Sequence, residues 1–299
     1  MSALGKFFIF LLFWTFSGQV QAQEPGLSPR RISLSLDGPE PPGGPYRLAV
    51  DSQGSLFVLD RGRALLYRLQ PETGKVIWRI DGSESGRRFI DPAYISQPDG
   101  FFIYLTDRGS RLVWRIDYRG EIRGSLDLPF AADPVLLELA AGRQLVVYDR
   151  AGGLIHLLDD SGRPLWSFPA GGGRKTSEPA DISVSADGST LYLLWPEGLQ
   201  ITTVDIFGRT ASTIQLNAED FLPRRIAAVA GTRKTNILCL TGARGPVVSL
   251  DPLTQTAQKL PDGYELIWDI GSVPGKPDLL YLLVGPEAAL IEIKLETGD

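Results

Sequence analysis

The sequence predicts an all-β chain folded as a six-bladed β-propeller, and three observations lead there. An apolar run, a polar turn and a second apolar run recur along the chain, six copies align, and the last copy lacks its closing segment. The recurrence is plainest between Phe57–Ile80 and Ile103–Leu126, which share an Asp-Arg-Gly turn with Asp60 and Asp107 spaced 47 residues apart. Of the 299 residues 43% are hydrophobic, enough for a full core, and the 33 Gly and 22 Pro are spread along the chain, as many short strands with many turns require.

The first 22 residues stand apart. Lys6 is their only charge, Phe7–Phe16 is an apolar block, and Val20-Gln21-Ala22 closes on small residues, so residues 1–22 are expected to be a secretory signal cleaved after Ala22. The alternative is an uncleaved anchor, but the block is shorter than the roughly 18 apolar residues of a membrane span. Cys239 is the only cysteine, which forbids an intramolecular disulfide and gives no lipidation site near the cleavage point. Export without disulfides points to a bacterial periplasm or exterior.

Residues 23–299 are then one domain. "RRISLSL", Arg31 to Leu36 with its flanking residue, alternates as a strand does and is expected to be a closing strand over 31–36. Pro45, Pro92, Pro134, Pro179 and Pro223, spaced by 47, 42, 45 and 44, each open a unit at its first strand. The units span about 45–82, 91–128, 132–171, 177–216, 221–263 and 264–299. Second strands align as "SLFVLD", "FFIYLTD", "QLVVYD", "TLYLLW", "NILCLT" and "LLYLLV", and third strands follow, with Gly74, Gly120, Gly162, Gly208 and Gly298 in the turn after them. Five units carry a fourth strand and the sixth stops at "ETGD". A ring of blades leaves no exposed edge only if the N-terminal strand supplies the missing piece.

The units resemble NHL repeats, in which a proline and an apolar strand lead through Asp-x-x-Gly to a strand ending in Asp, an Arg-containing strand and a glycine turn. "PYRLAVDSQGSLFVLDRGRALLYRLQPETGKV" carries the pattern most fully. Over residues 31–299 the chain is also similar to the TolB-like six-bladed propellers, a superfamily of lactonases, lyases, scaffolds and receptor modules. Units four to six depart from the pattern, with Trp195, Thr241 and Val284 where the second strand otherwise ends in Asp.

Chemistry is sparse. With one histidine, His156, the chain cannot build the multi-histidine centre of the amidating lyases that NHL proteins resemble, and His156 falls in an aromatic packing slot rather than beside a nucleophile. The first strands are expected to offer few carboxylates, with Asp181 inside one and Asp51 at the end of another, so neither a metal nor another cofactor is expected. Asp51, Asp99 and Asp187 read as turn residues, Cys239 as a buried thiol, and Trp78, Trp114 and Trp166 as blade packing.

Asp60, Asp107 and Asp149 are expected to lock the turns between second and third strands. Arg61, Arg108 and Arg150 beside them are expected to form a cationic arc that binds an anionic ligand or acidic partner. The net charge of −5 and the export signal argue against nucleic acid. The expected function is a monomeric, non-catalytic binding or scaffold propeller of the bacterial envelope, holding a protein, peptide or glycan on the face of those turns. The alternative is a lactonase, esterase or lyase that works through carboxylates with or without a divalent metal.

Overall fold

A computed structural model describes residues 29–36, 44–82, 89–96, 100–171, 178–216, 222–230, 236–260, 264, 266–286 and 288–295. The expected signal segment, Asp99 and Gly298 lie outside the described residues. Among the described residues twenty-four strands are arranged in six four-stranded antiparallel sheets. Blade one holds β2 (Tyr46–Val50), β3 (Leu56–Asp60), β4 (Leu65–Leu69) and β5 (Val76–Asp81). Blade two holds β6 (Pro92–Ser96), β7 (Phe102–Asp107), β8 (Leu112–Asp117) and β9 (Ile122–Asp127). Blade three holds β10 (Pro134–Ala140), β11 (Gln144–Asp149), β12 (Leu154–Leu158) and β13 (Pro164–Pro169). Blade four holds β14 (Asp181–Val184), β15 (Thr190–Trp195), β16 (Gln200–Asp205) and β17 (Thr210–Gln215). Blade five holds β18 (Arg225–Ala230), β19 (Asn236–Thr241), β20 (Val247–Leu250) and β21 (Ala257–Lys259).

The sixth sheet runs β1 (Arg30–Ser33), β24 (Ala289–Lys294), β23 (Lys276–Val284), β22 (Ile267–Val273). The N-terminal strand therefore closes the ring, pairing Arg30 with Glu292 and Ile32 with Leu290. It is shorter than the alternation of "RRISLSL" suggests, ending at Ser33, yet Leu36 beyond it is still buried with Ile32 in the core between blades six and one.

That core shows why the unit repeats. Tyr281, Leu283 and Leu290 of blade six pack with Leu48, Val58 and Tyr67 of blade one, and Phe57, Leu59 and Leu66 of blade one pack with Ile103, Leu105 and Ile116 of blade two. Each sheet buries its faces only against its neighbours, so no blade has a core of its own. Inner strands are buried on both faces, whereas the outermost β5 and β9 alternate, as a strand with one solvated face must.

Turns are set by their backbone demands. Gly74, Gly120, Gly162 and Gly208 each follow a third strand with φ between 68° and 86°, the left-handed region glycine enters without strain. At Gly120 the fit is also steric, because a Cβ there would meet the Trp78 ring at 3.0 Å. β-Bulges interrupt the start of three first strands, between Pro92 and Tyr94, Pro134 and Leu136, and Ile267 and Asp269. A proline cannot donate to the ladder, which accounts for the first two, and each bulge shifts which side chain faces the channel.

Candidate functional site

The first strands line a central channel, and one register position carries most of its charge. Arg47, Tyr94, Asp181 and Asp269 each pair with the residue before the last of the second strand: Leu59, Thr106, Leu194 and Leu283. The four lie near the face that carries the turns between second and third strands. Arg47 is buried between two carboxylates, 3.8 Å from Asp181 and 3.7 Å from Asp269, with its guanidinium stacked 4.4 Å over the Tyr94 ring. Arg225 reaches Asp269 at 3.4 Å and donates to the Trp268 carbonyl at 3.1 Å.

The carboxylates also hold the ring together. Asp269 accepts from the Leu48 amide of blade one at 2.8 Å, and Asp181 accepts from the Ile226 amide of blade five at 3.1 Å. Tyr94 donates to Asp181 at 3.1 Å across the channel. Burial opposes the charge of Arg47, but Asp269 and Asp181 outweigh it and keep the guanidinium protonated. Burial raises Asp181 to about 6 even though Arg47 and Arg225 pull it down.

Next to this plug lies Glu138, on β10. Its Oε1 is 3.4 Å from the Tyr94 hydroxyl, and no basic side chain lies within ion-pair distance among the described residues. Burial, with Asp181 and Asp269 adding to it, pushes Glu138 well above the usual carboxylate range. Glu138 and Asp269 correct the expectation that Asp181 and the terminal Asp51 are the acids of the first strands. Beyond Glu138 the channel widens into a cavity of about 320 Å³ that runs to the opposite face, at Ser185–Gly188 and Pro274–Gly275.

On the face of the second-to-third-strand turns, Asp60, Asp107 and Asp149 are buried and point their oxygens at backbone amides. Asp107 accepts from Ile90, Asp91 and Gly109 at 2.9, 2.8 and 3.2 Å. Asp149 accepts from Asp133 at 2.7 Å and Gly152 at 3.2 Å. Asp60 takes both the Arg63 amide, at 3.1 Å, and its Nε, at 2.7 Å. In blades five and four the substitutes behave differently: Thr241 donates to the Gly242 carbonyl at 2.8 Å, and Trp195 is buried with its indole N–H unpartnered.

The three arginines beside these aspartates differ from one another. Arg108 and Arg150 converge on Asp133, at 2.7 and 2.6 Å, and draw its carboxyl below the usual range against the effect of burial. Arg61 instead donates from Nε to the Pro92 carbonyl of blade two at 3.1 Å and pairs with no carboxylate among the described residues. Burial, followed by the charge of Arg47, pushes Arg61 down to about 10 against an opposing pull from Asp91, with Arg108 and Arg225 adding smaller repulsions. The arc thus contains two ion-paired guanidiniums and one that is not.

His156 is buried in blade three, its Nδ1 2.8 Å from Ser167 Oγ and its ring 4.8 Å from Phe130, and burial lowers its pKa. Cys239 is buried and its thiol is pushed up to about 12. Asp51 and Asp187 accept amides of their own turns, from Gln53 and Ser189. Trp78 and Trp114 pack between blades, whereas Trp166 is 54% exposed and meets Phe207 edge-on at 6.2 Å. Among the described residues no three His, Cys, Asp or Glu side chains are grouped to hold a metal ion, and no helix is long and apolar enough to cross a membrane.

No protein-family model and no curated protein matches the chain. Among solved structures it is similar to a streptogramin B lyase, with 14% identity over 91% of this chain and 88% of that one and a TM-score of 0.59. It is also similar to virginiamycin B lyase from Staphylococcus aureus, with 13% identity, 92% and 90% coverage and a TM-score of 0.59. A catalytically inactive histidine-to-alanine variant of that enzyme, solved with quinupristin, matches with 13% identity, 90% and 89% coverage and a TM-score of 0.60. At such identity the likeness establishes the architecture alone, and the chain is a six-bladed β-propeller closed by its N-terminal strand.

Proposed function

We propose that this protein is a non-catalytic binding propeller of the bacterial envelope that takes an acidic protein or peptide, or an anionic glycan, on the face bearing the second-to-third-strand turns. The observation that carries the reading is Arg61: a half-buried guanidinium, near Arg47, Arg108 and Arg225, that bonds a carbonyl and, among the described residues, no carboxylate. A cation that is desolvated and surrounded by like charge gains from an incoming carboxylate or sulfate, which also matches the fork of its donors. Export rests on the apolar block Phe7–Phe16 and the small residues before Gln23.

The catalytic alternative needs channel carboxylates free to bind a metal or move a proton. Here Asp181 and Asp269 have Arg47 between them, in the place a divalent cation would take, and both carboxylates also accept backbone amides. The lyases with the same architecture include one whose histidine variant is inactive, whereas the single histidine of this chain is packed inside a blade.

The test is direct. The chain from Gln23 onward is immobilised and titrated at low salt with oligo-glutamate and with a sulfated glycan, beside Arg61→Ala and a charge-matched control, Arg163→Ala, on the opposite face. Arg61→Ala should weaken capture at least tenfold with its melting temperature unchanged, and the control should bind like the parent. Equal binding by Arg61→Ala and the parent would remove the site. Recovery of envelope partners by pull-down and mass spectrometry then identifies the natural ligand, with Arg61→Ala as the negative bait.

A further inference from the structure

The channel holds one more carboxylate than it has arginines to match. Asp181, Asp269 and Glu138 face Arg47 and Arg225, and both arginines are engaged by the two aspartates. Nor does Tyr94 satisfy Glu138. A phenol has one proton, and the shorter contact of its hydroxyl, 3.1 Å, is to Asp181, leaving the 3.4 Å approach to Glu138 without a hydrogen of its own. A half-buried carboxyl whose donors are one backbone amide, from Leu139, and a shared phenol, with no cation beside it among the described residues, is disfavoured in its charged form.

Its surroundings are those of a ligand pocket. All six first strands contribute to the cavity, whose volume of about 320 Å³ falls in the range of small-molecule sites. The walls include Leu48, Val50, Ile95, Ile226 and Val273, the inner end is Glu138 with Tyr94, and the outer end is the turn face opposite Arg61. The lining is mixed, with Ser183, Ser185, Ser272 and Asp187 beside these apolar residues, and Glu138 is the acid at its inner end.

We propose that this cavity is a second binding site, for a small organic cation such as a primary alkylamine, with the apolar body between the first strands and the ammonium on Glu138. The ammonium supplies the missing third positive charge and up to three donors, which Glu138 and Tyr94 Oη can accept. Burial and the fields of Asp181 and Asp269 disfavour a bare charge on Glu138, and an incoming cation relieves that penalty. The site does not depend on Arg61, which lies at the other mouth of the channel.

Isothermal titration with hexylammonium, hexanol and hexanoate tests the proposal on the chain from Gln23 onward. Hexylammonium should bind once per chain, at least tenfold more tightly than hexanol, and hexanoate should not bind. Glu138→Gln should lose at least tenfold in affinity for the amine, about 1.4 kcal/mol. Ala186→Trp, an exposed substitution at the outer end that leaves Glu138 intact, should lose binding as well, with melting curves showing that both variants fold. Arg61→Ala should bind the amine like the parent. Hexanol binding as tightly as the amine, an unchanged Glu138→Gln, an indifferent Ala186→Trp, or no saturable amine binding by the folded parent would each overturn it.

Discussion

Replacing Asp107 by Ala should destabilise the propeller far more than its position in a surface turn suggests. The carboxylate is fully buried and accepts three backbone amides, from Ile90 and Asp91 in the strand-to-strand link before β6 and from Gly109 in its own turn, at 2.8 to 3.2 Å. A hydrogen bond to a charged acceptor contributes about 1.5 kcal/mol or more, and a buried amide left unpaired costs about as much. Three such amides put the loss at about 3–5 kcal/mol, or roughly 10 °C in melting temperature for a domain of this size. Asp107→Asn retains one acceptor and shape, so it should fall between. Thermal and urea unfolding followed by circular dichroism measure the effect. The triple variant Arg61→Ala, Arg108→Ala, Arg150→Ala is the comparison, since the partly exposed ion pairs of Arg108 and Arg150 contribute about 0–1 kcal/mol each and Arg61 gives up one hydrogen bond to a carbonyl, about 1 kcal/mol. If Asp107→Ala melts with the parent, or the arginine triple melts as low as Asp107→Ala, the account of these turns is wrong.

Deleting residues 23–37 should lower the melting temperature by about 10 °C or more, because β24 loses its partner and the buried Ile32 and Leu36 are worth about 1.5–3 kcal/mol each. A truncated chain that melts within about 2 °C of the parent contradicts closure. Arg47→Met should cost about 3–5 kcal/mol by leaving Asp181 and Asp269 buried without their shared cation, and adding Asp181→Asn and Asp269→Asn should recover part of that. Glu138 has a folded pKa above its unfolded value, so the folded state binds the extra proton and stability falls as pH rises above about 4.5. Glu138→Gln should therefore match the parent at pH 4 and melt higher at pH 7, as differential scanning calorimetry would show. Asp133 has the opposite sign: its lowered carboxyl stabilises above the unfolded pKa and the benefit is lost on acidification, so Asp133→Asn should flatten the acid limb of the stability curve.

The architecture was legible because a propeller repeats its signals at a fixed spacing. Prolines before first strands, glycines at left-handed turns and an absent fourth strand in the last unit are local features, and each corresponds to one strand or turn in the ring. What alternation misjudged was length. "SLSL" continues the pattern of a strand past Ser33, but β24 begins at Ala289, which pairs with Ser33, so among the described residues Leu34 to Leu36 have no strand to pair with. Pairing, not propensity, sets where an edge strand stops.

The channel was far less legible, and the reason is bulges. Asp269 lies in the one unit without a proline start, behind a bulge at Ile267, and Tyr94 lies behind another at Pro92, so counting from the unit start assigns both to the wrong register. The signal that would have found them was the end of the second strand, since Arg47, Tyr94, Asp181 and Asp269 all sit opposite its next-to-last residue. At that register blade three has Leu136, opposite Tyr148, and its acid comes two residues later, at Glu138. Side chains two apart on a strand share a face, so Glu138 still points into the channel but one step deeper, past the plane in which Arg47 and Arg225 neutralise the aspartates. That offset is what leaves its carboxyl beside the cavity rather than in the plug, and an acid without a neighbouring arginine follows from the same displacement that concealed it.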